Sequence, residues 1–229
     1  MKTKDEKPFW KTDLNRLWFD FRKVYPVSFS LLFSYPVVSV CVLIAVFSSF
    51  YLDSAFWEYI TSLKSGFADT IFSFGHWYGS GNPTLYLFIL LYAGGAIFKQ
   101  EKIRDTGLLV GESFVFSGFI SLLFKTFFGR WRPFTNHGDF SFYGFTLSDN
   151  DHLSFTSGHA NVAFALSMSL AAYAPNIYLK IFFYLLAVIT GLSRIYHNQH
   201  WLSDVVVGGL ISIVITLSLI ENRKQSSSK

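Results

Sequence analysis

IYLKIFFYLLAVITGLSRIYHNQHWLSDVVVGGLISIVITLSLI, residues 177–220, decides how the chain is read. Two apolar runs, 177–192 and 205–220, flank a short polar link holding Ser193, Arg194, His197, His200 and Asp204. A bilayer core about 30 Å thick asks for ~20 apolar residues in a helix. Ionisable groups at membrane depth are costly, so a cluster of them between two such runs points to function or to pairing.

Outward from this stretch the pattern repeats. Further apolar runs occupy 27–50, 84–98, 107–124 and 158–174, which brings the expected spans to six. Charged residues make up only 15% of the 229, against roughly 25% in a soluble domain, and mean hydropathy is +0.35. A soluble helical core could mimic one or two of these runs, but not all. The reading is therefore all-α: an integral membrane bundle of about six transmembrane helices, residues 27–220. No cleavage site of small residues follows the first run, which is read as a retained span. Cys41 lies in that run and is expected to be a small buried hydrophobe; a single cysteine excludes a disulfide within the chain.

Residues 1–26 form a separate segment. Phe9, Trp10, Leu14, Leu17, Trp18, Phe21, Val24 and Tyr25 recur at three- and four-residue steps, with Lys11, Asp13, Arg16, Asp20, Arg22 and Lys23 between them. This predicts an amphipathic helix in the headgroup layer. Lys2, Lys4 and Lys7 add to its positive charge. Lys99, Lys102 and Arg104 lie between the second and third spans, and Arg223, Lys224 and Lys229 follow the sixth in the polar tail 221–229. By the bias of Lys and Arg in short loops, both termini are expected in the cytoplasm of a cell (inner) membrane. The longest loop, 126–155, carries Phe134, Phe140, Phe142, Tyr143 and Phe145, rings that suit the membrane interface.

Three polar clusters then fall on the extracytoplasmic side. Lys125 to Pro133 ends the third span, Thr156-Ser157-Gly158-His159 opens the fourth, and Ser193 to Asp204 joins the fifth to the sixth. Their chemistry suits an anion. Lys125 and Arg132 are seven apart and share a face if the helix continues; Arg194 adds a third cation. Guanidinium forks match phosphoryl oxygens. Gly158 starts a helix whose free N–H groups favour an anion, Ser157 or Thr156 can cap it, and Ser193 can donate a hydrogen bond. His200 and Asp204 are four apart, so a carboxylate can fix the imidazole tautomer and leave Nε2 as a nucleophile. His159 can protonate a leaving oxygen. His76, His137 and His152 read as ordinary structural histidines, and His197 as a weak metal signal only.

Together the clusters resemble the signature of the type 2 phosphatidic acid phosphatase family, K-x6-RP, PSGH and SR-x5-H-x3-D. Thr156 stands where the family's Pro would be and is expected to cap the helix. The resemblance spans Lys125 to Asp204. It implies a hydrolase in which His200 forms a phosphohistidine, Asp204 orients it and His159 is the general acid. Lys125, Arg132, Ser157, Gly158 and Arg194 would hold the phosphoryl oxygens. No metal or other cofactor and no nucleic-acid partner is expected. The expected substrate is a lipid phosphate or pyrophosphate, with undecaprenyl pyrophosphate, phosphatidic acid and phosphatidylglycerol phosphate in the class. A lipid A phosphatase, a phosphotransferase and a lipid transporter or flippase are the alternatives. A vanadium haloperoxidase shares the anion site but is soluble.

Overall fold

The computed structural model describes residues 9–147 and 149–227, with side chains to 225. Lys2, Lys4, Lys7 and Lys229, and with them the start of the 1–26 segment and the end of the tail, lie outside the described residues. The described chain folds into α1 (Phe9–Ser34), α2 (Pro36–Tyr51), α3 (Asp53–Ser62), α4 (Gly66–Tyr78), α5 (Gly81–Ile97), α6 (Glu101–Phe128), α7 (Gly158–Tyr173), α8 (Ile177–Tyr196) and α9 (Leu202–Ser227). The fold is all-α, with two short 3₁₀ turns at Pro133–Thr135 and Asn150–His152.

Three helices, α6, α8 and α9, are long and apolar enough to cross a membrane. A fourth candidate is the pair α1 and α2, which bends by 97° at its break. This corrects the expected single span at 27–50. α1 runs on through Pro26 to Ser34, and the chain turns at Tyr35, whose φ of −127° and ψ of 72° are not helical. The cause is Pro36 at the first position of α2: its ring disfavours helical geometry in the residue before it. The apolar α5 has 17 residues and falls short by length. The 51–82 stretch, between the first two apolar runs, is mostly helix, as α3 and α4.

α7 is the hub. It packs against α6, α8 and α9, and apart from Asn161 and Leu166 its buried side chains are small or hydroxylic: Ala160, Ala163, Ala165, Ser167, Ser169 and Ala171. Short side chains let helix backbones come close where lipid gives no hydrophobic push between helices. Asn161 fixes the packing, accepting from Ser117 Oγ at 3.0 Å and donating to Gly208 O at 3.4 Å.

α1 presents an inverted surface. Trp18 and Phe21 are 62% and 56% exposed, while Asp13 and Asp20 are buried. Asp13 accepts from Tyr92 and pairs with Arg104; Asp20 accepts from Asn222 Nδ2 at 3.0 Å. The aromatic stripe thus points out of the protein and the carboxylates point in. Cys41, expected buried, is also on an outward face, exposed on α2. Glu112 is buried in α6 and pairs with Arg223 of α9, which also donates to Asp105 O and Tyr173.

α5 and α6 approach through glycines. A Cβ on Gly95 would lie 2.3 Å from Arg104 N, and one on Gly107 would lie 2.5 Å from Tyr92 N. Gly107→Leu should therefore destabilise the protein by about 1–3 kcal/mol, read as a lower melting temperature in detergent. An unchanged transition would mean the pair separates without cost.

Candidate active site

The site is assembled where α6, α7, α8 and α9 end or begin at one end of the bundle. α6 stops at Gly129, whose φ of +52° is left-handed; a Cβ there would lie 2.0 Å from Gly144 O. Only glycine fits, and the helix ends here. Lys125 and Arg132 therefore do not share a helical face as their spacing suggested. After the turn at Gly129 the charge of Arg132 still reaches Lys125.

That turn drives Arg130 into the interior, where it has no exposed surface. Its Nη1 donates to Asp204 Oδ1 at 2.7 Å and to Ser203 Oγ at 2.6 Å; its Nη2 donates to Asp53 Oδ2 at 2.7 Å. Phe50, Phe142 and Trp201 pack their rings around the guanidinium. Burial works against its charge, but Asp204 and Asp53 outweigh it and hold the group above its ordinary value. Asp53 also accepts from Ser203 N at 2.7 Å, tying the start of α3 to the start of α9. These residues were not singled out in the sequence. The available signal was a second arginine two before Arg132, and an acidic residue at the end of an apolar run.

Asp204 is saturated. Besides Arg130, its Oδ2 accepts from Ser154 Oγ at 2.5 Å and Trp201 N at 2.8 Å, and lies 3.5 Å from His200 Nδ1. Ser154 Oγ is also 3.5 Å from that nitrogen. A carboxylate beside Nδ1 keeps the proton there and leaves the Nε2 lone pair free. Burial first, and then the charges of Lys125 and Arg132, push His200 well below its ordinary value, although Asp204 opposes them. The ring is thus neutral at pH 7.

Around His200 lie the cations. Lys125 Nζ donates to Leu153 O at 2.6 Å, and its stem passes over Gly158, with Cε 3.8 Å from where a Cβ would be. Arg132 is held by Asn150 through its backbone and side-chain oxygens, and by Gln199 Oε1 at 2.9 Å. Arg194 Nη1 lies 2.6 Å from His76 Nδ1. His159 is within range of the charges of Arg194, Lys125 and Arg132, and His200 within range of Lys125 and Arg132, so the two histidines share the latter two cations. An anion placed among them would gain from fixed positive charge in a site that water enters poorly.

The start of α7 departs from expectation at one residue. Ser157 is the cap, accepting from Ala160 N at 3.4 Å, and its own N–H donates to Asp204 O. Thr156 does not cap; its hydroxyl pairs with Ser121 of α6 at 2.9 Å. Thr156 sits a residue too early to reach the first free N–H groups, and it braces α6 instead. The hydroxyl of Ser193 donates to Thr190 O at 2.7 Å within α8. Among the described residues, no three His, Cys, Asp or Glu side chains gather as a metal cage.

The comparisons follow this geometry. Residues 106–226 match the PAP2 superfamily model. A lipid A 1-phosphatase of Rhizobium johnstonii is 30% identical over 144 residues, covering 57% of this chain and 58% of that protein. The chain thus spans just over half the length of that curated relative. Among solved structures, Aquifex aeolicus LpxE aligns with a TM-score of 0.58 and 24% identity, over 74% of this chain and 95% of that one. A transmembrane PAP2-type phosphatidylglycerolphosphate phosphatase from Bacillus subtilis aligns with a TM-score of 0.62 and 20% identity, over 81% and 96%. The family match covers more than half of the residues and contains all three polar clusters, so this chain belongs to the PAP2 superfamily.

Proposed function

We propose that the chain is a membrane-embedded lipid phosphatase working through a phosphohistidine, with the site at the extracytoplasmic face and both termini in the cytoplasm. The observation that carries this is the buried His200, whose Nδ1 lies 3.5 Å from Asp204 Oδ2 and which is within range of the charges of Lys125 and Arg132. The Nε2 lone pair of His200 forms a bond to phosphorus as the bond to the lipid oxygen breaks. His159 gives that oxygen a proton. Water then attacks phosphorus with His159 taking its proton, the N–P bond breaks, and inorganic phosphate leaves. Lys125, Arg132, Arg194 and the N–H groups opened by Ser157 and Gly158 carry the charge that develops, so no metal is required.

Among substrates, a lipid A 1-phosphate leads, because the Rhizobium johnstonii relative bears that activity in its name. Undecaprenyl pyrophosphate and glycerophospholipid phosphates are the next class. A groove of about 380 Å³ between α6 and α7 supports a lipid. Phe114, Val115, Leu122 and Val162 line it, and Lys125 and Gly158 close one end. Acyl chain in the groove and phosphate at Lys125 is the arrangement it favours. Six crossings, with α2, α5 and α7 as the short ones, agree with Lys and Arg in the loops. α1, with its rings outward, suits the headgroup layer.

A phosphate-release panel over these lipids, with EDTA as control, tests the reading. A lipid flux without phosphate release would make the chain a transporter. His200→Ala should lower release by at least about 10³-fold, and phosphoramidate label should be lost with it; undiminished turnover would exclude His200 as nucleophile. Because His200 is held below its ordinary value, the acid limb of kcat/KM should lie below about pH 6.5. Folding should also weaken below that pH, where the unfolded imidazole takes up a proton that the buried one refuses. Asp53→Asn should cost about 3–5 kcal/mol of stability, because it breaks a buried ion pair; thermal unfolding reads this directly. Gly118, where an added Cβ meets nothing within 4 Å, lines the groove. Gly118→Leu should raise KM for a long-chain lipid about 10-fold and leave a short soluble ester unchanged. Alanine at Phe140, Tyr143 and Phe145, all outward on the loop, should split the two substrates in the same direction.

A further inference from the structure

One side chain from outside the three clusters enters the cradle. His76 lies on α4, upstream of the family match, in a run that reads Gly75-His-Trp-Tyr-Gly79. The two glycines dock this segment. A Cβ on Gly75 would lie 3.0 Å from Ile189 O; one on Gly79 would lie 2.3 Å from Thr190 Cγ2 and 2.8 Å from His159 O. Thr190 Oγ1 donates to Gly75 O at 2.9 Å. The backbone around His76 is therefore held against α8 and the first turn of α7.

From there the imidazole reaches two site residues. Nδ1 lies 2.6 Å from Arg194 Nη1, and the ring stacks on His159 with centroids 4.7 Å apart and planes 22° apart. His197 is next, at 6.1 Å between centroids. A guanidinium can only donate, so Nδ1 must be the acceptor and the neutral ring carries its proton on Nε2. Burial, Arg194 and His197 all push His76 below its ordinary value, which agrees with a neutral ring. The rest of the residue is exposed, unlike a histidine that merely fills a core. Arg194, in turn, is buried, and its Nε finds no hydrogen-bond partner. His76 thus holds one edge of a guanidinium whose Nε still has a bond to give.

We propose that His76 is a positioning residue of the phosphoryl site, holding Arg194 toward the transferred group and backing the ring of His159. This rests on the phosphatase reading above. It makes α4 a working part of the site, although α4 lies outside the shared family region.

The test compares three variants in detergent-solubilised full-length protein, reading kcat and KM for a lipid phosphate and the inhibition constant of inorganic phosphate. His76→Phe keeps a ring and loses the acceptor; His76→Asn keeps an acceptor near the Nδ1 position and loses the ring; His76→Ala loses both. Ala and Phe should lower kcat/KM about 10- to 100-fold and weaken phosphate inhibition about 10-fold, the loss expected for a hydrogen bond to a charged group. Asn should restore phosphate inhibition to within about 3-fold of wild type. In the Arg194→Ala background, His76→Phe should add nothing further to the loss of phosphate affinity. Wild-type phosphate affinity in His76→Phe, or additive losses with Arg194→Ala, would overturn the proposal. Should His76→Ala fail to fold, the Phe and Asn pair decides alone. Wild-type protein that releases no phosphate but binds it would end the phosphatase reading, and the variants' phosphate affinities would still judge His76.

Discussion

Arg130 carries a full charge with no exposed surface, between Asp53 on one side and Asp204 on the other. Removing such a charge from water is expensive, and only close, well-aligned partners offset it. The arrangement tolerates little movement. It fixes the turn after α6, the first residue of α3 and the first turn of α9 in a single knot. His200 depends on it at one remove, because the carboxylate that orients the imidazole is the one Arg130 holds. Three aromatic rings around the guanidinium keep water out and add attraction of their own.

With Arg130 neutralised by carboxylates, the other cations are left differently. Lys125 spends one bond on a backbone carbonyl, Arg132 leans on Asn150 and Gln199, and Arg194 leans on His76. These partners are neutral and orient the cations without cancelling their charge. Uncompensated positive charge in a poorly hydrated site is costly to the free protein, and that cost is relieved when an anion arrives. The division of labour is between one arginine that is structural and ionically satisfied and three cations that are held but not neutralised.

The bilayer makes the opposite demand on the rest of the surface. α1 turns its rings outward and its carboxylates inward, where Tyr92, Arg104 and Asn222 meet them. Periodicity made the amphipathic stripe legible, yet in water the same stripe would face the core. α7 is surrounded by other helices, and its Ala and Ser content serves close packing.

The sequence by itself determined the all-α class, the apolar runs and the chemical character of the site, because hydropathy and the spacing of Lys, Arg, His and Asp are local properties. His200 with Asp204 was readable as a pair four residues apart, although His200 itself stands just before α9 and only Asp204 lies in its first turn. Only the tertiary structure decided that the charge of Arg132 reaches Lys125 around a left-handed glycine turn, that the Ser193 hydroxyl bonds within its own helix, and that Thr156 braces α6. Only it placed Asp53 and His76, from a stretch with no recognisable motif, beside residues 150 and 118 positions further along the chain. The physical reason is that neutralising a buried charge and docking a glycine-flanked helix are matters of distance through space. Nothing in local composition records which distant carboxylate or imidazole will be the partner.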